Sequence, residues 1–335
     1  MRVSVVGCGA VSRNHLKVLK GLHSTVISSV TDINKDRADA AAKKYACKAY
    51  YDFDAMLNGD RPDCIHICTP HCLHVPMAVA ALERGIHVLC EKPCAISEEG
   101  LSLLRRAQDE SKANFGVCFQ NRYNESVRAI KDIIDKKTYG KVLSVRALVH
   151  WCRGEAYYSD GWHGKLSQEG GGVTVNQAIH TQDLIRYLVG SDMLSVTAHT
   201  FNDHLKGIIE VEDTLHALLT YENGVTALFN ATTAFSDNLP FIIDIKCEKA
   251  LLRIEGSDAY ILKGGRIRQL RLKNSAAFIG KSYWGNGHKA LIKDFYDCIE
   301  KKKTFPVDAY EGGKAVEEFL AIYKSSDSGE KIYLK

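Results

Sequence analysis

Short apolar runs alternate with helix-like stretches along the first third of the chain. The runs are residues 3–6, 26–31, 64–68, 87–90 and 115–118; between them, residues 35–45, 75–84 and 98–111 have the spacing of amphipathic helices. Strands that are apolar on both faces and separated by helices predict a doubly wound parallel sheet, because crossover helices are what covers both faces. Pro62, Pro70, Pro76 and Pro93 all stand at or near element boundaries.

After a helix-like stretch at 125–134 the pattern changes. Leu215, Ala217, Leu219 and Tyr221 alternate with Thr214, His216, Leu218 and Thr220, and the alternation resumes at Val225, Ala227, Phe229 and Ala231 after Asn223-Gly224. That is the pattern of a β-hairpin, and the dipeptide predicts a type I′ turn. Residues 241–247, 250–255, 260–262 and 267–272 extend an open, mostly antiparallel sheet with one apolar and one mixed face. Two helices, at 289–300 and 311–324, are expected to close the chain. The fold class is therefore α/β, with a dinucleotide-type domain over 1–120 and an α+β domain over 121–335.

Composition narrows the function classes. A chain of 335 residues suits two domains, and 45% hydrophobic with 25% charged residues is ordinary for a soluble protein. Lys+Arg 44 against Asp+Glu 40 leaves +4, and without a dense basic run nucleic acid is not an expected partner. The apolar start, interrupted by Gly7 and Gly9, is too short for a membrane span and lacks a cleavage pattern, so a cytoplasmic location is expected. Eleven cysteines, several inside apolar strands (Cys64, Cys68, Cys90), read as reduced, buried thiols.

The first strand runs into Gly7-Cys8-Gly9-Ala10-Val11-Ser12. In a dinucleotide site the first glycine makes the turn, the second admits the pyrophosphate, and the helix N-terminus faces its charge. Ser12 replaces the third glycine, at a position that serves packing. Asp32 closes the next strand, where a carboxylate accepts from both ribose hydroxyls of NAD and repels the extra phosphate of NADP. Its plainer reading is a turn residue, and Arg37 nearby is a possible phosphate ligand.

Two further segments bear chemistry. Glu91-Lys92-Pro93 ends the strand at 87–90, at the sheet edge where such folds bind ligands; a lysine there can exchange protons with a hydroxyl or be a surface residue of a β-to-α turn. Gly170-Gly171-Gly172 leads to Asn176, His180, Leu184 and Leu188, spaced by four and so on one helical face. His180 is then a base or a satisfied core histidine. Tyr157 and Trp162, with Trp151 and Tyr158, offer faces for the C–H surfaces of sugars. Arg122 is placed to bind a substrate phosphate or to brace the fold. His66, Cys68, His71, Cys72 and His74 lack a chelating spacing, and no metal is expected.

Gly7-Cys8-Gly9, Thr69-Pro70 with His74, Glu91-Lys92-Pro93, and the glycine triplet leading to Asn176 and His180 resemble the Gfo/Idh/MocA family, named for glucose-fructose oxidoreductase and inositol dehydrogenase. The resemblance covers nearly the whole chain. It implies a Rossmann domain that binds NAD through Gly7, Gly9, Ala10, Val11, Asp32, Thr69, Pro70, His74, Glu91 and Lys92. It also implies catalysis by Lys92 and His180 with Asn176 on the substrate, to which the residues themselves add Arg122, Tyr157 and Trp162 as substrate-binding candidates. The family often has aspartate at the position of Asn176, and an amide can only position by hydrogen bonding. The implied activity is NAD(H)-dependent hydride transfer with a secondary hydroxyl of a sugar, cyclitol or nucleotide sugar, in a homodimer or homotetramer. The alternatives are an NADPH-dependent reductase of a keto-sugar or other carbonyl, and a non-catalytic NAD-binding sensor.

Overall fold

The structure is a computed structural model that describes residues 1–272 and 287–334. Its first sheet contains β1 (Arg2–Val6), β2 (Val26–Thr31), β3 (Lys48–Tyr50), β4 (Cys64–Ile67), β5 (His87–Cys90) and β6 (Phe115–Val117). All pair in parallel in the order β3-β2-β1-β4-β5-β6. This order reverses between β1 and β4, the switch point at which doubly wound sheets bind ligands. The crossovers are α1 (Ser12–Lys20), α2 (Lys35–Tyr45), α3 (Phe53–Asp60), α4 (His74–Leu82) and α5 (Glu98–Glu110). Side-chain oxygens of Asn34, Asp52 and Ser97 cap α2, α3 and α5, accepting from Arg37, Ala55 and Gly100. β3 and α3 were not evident in the sequence: a three-residue edge strand without a buried residue offers no periodicity.

The chain divides into two compact units, Met1–Phe119 with His288–Val316, and Gln120–Gly287 with Glu317–Lys335. They are not the two consecutive stretches expected from the sequence. Residues 288–316 return to the first unit because its last strand has an apolar flank to cover. Phe295 and Phe305 are fully buried there, edge to face at 5.3 Å. A Cβ on Gly116 would lie 2.7 Å from Phe305 and 3.0 Å from Phe295, and Val117 N–H donates to Val307 O at 2.8 Å.

The second unit contains α6 (Glu125–Asp135), β7 (Val142–His150), α7 (Leu166–Glu169), α8 (Ile179–Val189), β8 (Met193–Phe201), β9 (Thr214–Tyr221), β10 (Thr226–Thr232), β11 (Ile242–Cys247), β12 (Leu251–Glu255), β13 (Asp258–Lys263) and β14 (Arg266–Gln269). After α9 (Gly287–Glu300) and α10 (Lys314–Ser328) the short β15 (Ile332–Tyr333) completes its sheet, ordered β14-β13-β12-β11-β7-β10-β9-β8-β15. The pairing is antiparallel except for β7 with β10. One face buries Leu215, Leu219, Ala227 and Phe229 with Leu184 and Leu188 of α8 and Ile130 of α6. The other face exposes Leu218 (49%) and Leu228 (54%), which sit opposite each other.

Two local expectations change. The β9–β10 turn is not type I′, since only Gly224 has positive φ (+83°). Gly224 N–H donates to Tyr221 O, and Tyr221 N–H to Val225 O, so the left-handed residue follows an ordinary turn. α8 begins at Ile179, which leaves Asn176 in the turns before it rather than on the helix. The eleven cysteines are free; six are buried, while Cys152 is exposed. Among the described residues no helix is long and apolar enough to cross a membrane.

Candidate active site

The loop after β1 has the features of a pyrophosphate cradle. Gly7 holds φ +88°, and a Cβ there would lie 2.5 Å from Cys68 O, so only glycine fits. A Cβ on Gly9 meets nothing within 4 Å, which leaves the backbone open to an incoming group. Ala10 and Val11 lead into α1, whose N-terminus has no side-chain cap. Ser12 folds back to donate to Gly9 O at 2.8 Å. Uncapped N–H groups beside bare backbone suit an anion. Asp32 accepts from Cys8 N–H at 2.7 Å and from Asn34 N–H at 2.8 Å, so its carboxylate adjoins the cradle, where a ribose would lie.

Behind the sheet's carboxyl edge, His74 is fully buried, and its ring nitrogens face Pro93 O at 2.6 Å and Thr69 O at 3.0 Å. It ties the Thr69-Pro70 loop to the Lys92-Pro93 turn, and burial lowers its pKa. Glu91 also faces inward and is buried. His15 Nε2 lies 2.9 Å from its Oε1. Burial opposes ionisation, yet hydrogen bonds from His15 and His288 hold the carboxyl well below the usual range. Lys92 follows directly and is half-buried.

In the second unit, Gln120 Nε2 lies 3.4 Å from His180 Nε2. An amide nitrogen only donates, so this contact requires the lone pair on Nε2, the state a base needs. Asn176 donates from Nδ2 to Tyr157 OH at 3.1 Å and also to Glu169 Oε1. Gln177 reaches the same hydroxyl at 3.3 Å. Glu169, buried, additionally accepts from Gly164 N–H at 2.6 Å. Arg153 stacks between Trp151 and Tyr157, 5.2 Å from each ring. Burial pushes the Tyr157 phenol well up, with Glu169 adding to the rise. Trp162 packs on His163 at 3.7 Å, and His163 on Tyr157 at 4.4 Å, so the aromatic residues read from the sequence form one cluster.

The glycine triplet shapes this region by close approach. A Cβ on Gly171 would collide with Tyr323 OH, and one on Gly172 with Glu212 O. Glu212 accepts from Gly172 N–H at 3.0 Å, Thr174 N–H at 2.9 Å and Tyr323 OH at 2.9 Å. Sequence reasoning missed Gln120, Glu169 and Glu212. For Glu169 a signal existed, an acid set directly before three glycines; for the others it did not. Arg122 is engaged within the unit, on the buried Asp183. The structure also gathers donors where the sequence suggested no metal: His15, Glu91, Cys118 and His288 have ligand atoms within 4.8 Å of one another.

Comparison with known proteins accords with this geometry. The family model described as an oxidoreductase family with an NAD-binding Rossmann fold matches residues 1–119, and the GFO/IDH/MocA C-terminal domain model matches residues 127–253. Over its full length the chain is 24% identical to the D-glucoside 3-dehydrogenase of Escherichia coli (strain K12), covering 97% of that protein. It is 23% identical to an inositol 2-dehydrogenase of Pseudomonas savastanoi pv. phaseolicola, over 99% of this chain and 96% of that one. The structure of the WlbA dehydrogenase from Bordetella pertussis, solved with NADH and UDP-GlcNAcA, matches with a TM-score of 0.87 at 28% identity, covering 100% of this chain and 99% of the other. With both models together spanning most of its length, the chain belongs to the Gfo/Idh/MocA family of NAD-binding oxidoreductases.

Proposed function

We propose that this enzyme transfers a hydride between NAD(H) and a secondary hydroxyl of a sugar, cyclitol or nucleotide sugar. The observation that supports it most is the polar set around Asn176: two amides and a phenol in an aromatic cluster, braced by Glu169 and Arg153, suit a polyhydroxylated ring. The named relatives act on a glucoside and an inositol, and the WlbA dehydrogenase was crystallised with a nucleotide sugar.

Bound NAD supplies the hydride acceptor. His180 accepts the hydroxyl proton on Nε2, released from its contact with Gln120. Lys92 donates to the developing alkoxide and lowers the charge that builds on it. Asn176, its amide orientation fixed by Glu169 and Tyr157, positions a ring hydroxyl through its carbonyl oxygen. Tyr157 and Trp162 cover the apolar ring face.

Reduction of NAD followed at 340 nm across sugars, cyclitols, glycosides and UDP-sugars tests this reading. NADH formation with at least one member supports it; turnover confined to simple alcohols or hydroxy acids removes it. The exposed Leu218–Leu228 face is the proposed surface for a homodimer or homotetramer. Leu218→Glu with Leu228→Glu should then lower the mass measured by sedimentation, and an unchanged mass points to another interface.

A further inference from the structure

A chain of buried polar side chains crosses the core of the first unit and ends on Glu91. Tyr296 OH lies 2.8 Å from His66 Nε2, His66 Nδ1 lies 2.8 Å from His15 Nδ1, and His15 Nε2 lies 2.9 Å from Glu91 Oε1. All four side chains are buried. They come from α9, β4, α1 and the end of β5, so four separate elements converge on one carboxylate.

Hydrogen-bond accounting fixes how this chain meets the carboxylate. Glu91 as a carboxylate only accepts, so His15 presents Nε2–H to it. Beyond it, His15 Nδ1 meets His66 Nδ1, and His66 Nε2 meets the Tyr296 hydroxyl, which also lies 3.6 Å from Cys64 Sγ. Linked hydrogen bonds polarise one another, and this chain ends on the carboxylate. His288 adds a second imidazole, with Nε2 at 3.9 Å from the same Oε1.

The set also has the composition of a metal site, but its spacing favours hydrogen bonding. The ligand atoms of a tetrahedral zinc lie about 3.3–3.7 Å apart. Around Glu91 Oε1 the two imidazole nitrogens stand at 2.9 and 3.9 Å, the shorter being an ordinary N–H···O length.

We propose that the Tyr296–His66–His15 chain keeps Glu91 ionised so that it offsets the positive charge of Lys92 and favours the oxidised cofactor, making Glu91 an electrostatic positioning residue. This rests on reading the first unit as the NAD site with Lys92 beside the nicotinamide. Oxidised nicotinamide is a cation and opposes the Lys92 ammonium; reduced nicotinamide is neutral. An anion adjacent in sequence to Lys92, in a poorly solvated core, acts on one redox form and hardly on the other. None of this requires the substrate to be a sugar.

The test measures dissociation constants of NAD and NADH separately, by calorimetric titration, and takes their ratio. Glu91→Gln keeps shape and the acceptor for His15 while removing the charge. It should weaken NAD relative to NADH by about five- to tenfold. Tyr296→Phe, which removes the hydroxyl at the far end, should move the ratio the same way by about two- to threefold, and carries the comparison alone should Glu91→Gln not fold. A packing role would weaken both cofactors together. An unchanged ratio in a folded variant that binds both overturns the proposal, as does stoichiometric metal in the purified protein by elemental analysis. Failure of the sugar reading would appear in the substrate panel and leave this ratio untouched.

Discussion

Arg122 grips Asp183 with both arms of its guanidinium: Nε donates to Oδ2 at 2.8 Å and Nη2 to Oδ1 at 2.5 Å. The ring of Tyr187 lies 4.9 Å from the guanidinium carbon. Both charges are buried, so the charge is neutralised inside the unit rather than offered to a phosphate. Arg122→Ala leaves Asp183 with the looser contact to Arg186 at 3.9 Å in place of the fork and should destabilise by about 3 kcal/mol in urea unfolding. Arg122→Lys, which keeps charge but loses the fork, should recover only part of it. Unchanged stability, with KM raised only for phosphorylated or nucleotide sugars, would return Arg122 to the ligand.

Asp32 should make NAD the preferred dinucleotide. Its carboxylate is already oriented by two backbone N–H donors, and a 2′-phosphate would meet that negative charge. Arg37 lines a groove of about 400 Å³ with Cys8, Ser12, Arg13, Asp36 and Lys44. Asp32→Ala is expected to narrow the NAD:NADP preference by about tenfold or more, roughly 1.4 kcal/mol. Wild-type NADP affinity equal to that for NAD, in direct titration, would sink the idea.

Lys92 and His180 should affect turnover more than cofactor binding. Alanine at either position is expected to lower kcat by about 10²-fold or more; His180→Ala should leave NAD affinity nearly intact, and Lys92→Ala, which removes a charge opposing the oxidised nicotinamide, should not weaken it. Asn176→Ala should raise KM at least as much as it lowers kcat, since the amide positions and does not transfer a proton. Near-normal turnover in either single variant removes that residue from the chemistry.

Glu318 predicts a pH effect on stability. Burial pushes its carboxyl from 4.5 to about 7, against the pull of Arg186 and the hydrogen bond from Gln182. The folded state therefore holds a proton that the unfolded chain releases. The associated stabilisation is complete below about pH 4.5 and is lost as pH rises through about 7. Glu318→Gln imitates the protonated form, so its stability relative to wild type should rise by about 2 kcal/mol from pH 5 to pH 8. A difference that does not vary with pH would show that Glu318 is ionised throughout.

What could be read directly was whatever the chain encodes locally. β2, α2 and β5 have the limits that periodicity assigned them. The glycine loop was legible because a positive φ at Gly7 and bare backbone at Gly9 are demands on one residue each. Alternation marked β9 and β10 because one sheet face is buried and the other is not. The type of their turn was less legible, since Asn223-Gly224 is compatible with more than one hairpin geometry.

Pairing across long separations was not legible. Arg122 and Asp183 are 61 residues apart, His15 and Glu91 are 76, and Tyr323 and Glu212 are 111. Each is a buried polar group that must find a partner, but which partner depends on how the elements stack, and no periodicity records it. Likewise the return of residues 288–316 to the first unit follows from a bare flank at Gly116 that exists only once β6 has paired. The sequence by itself determined the backbone that a dinucleotide requires and the residue types available for proton transfer. Only the tertiary structure decided that Glu91 turns inward to His15, that Arg122 closes on Asp183, and that Asn176 is held by Glu169, because desolvation forces each buried charge or amide onto whichever complement the packed fold brings within reach.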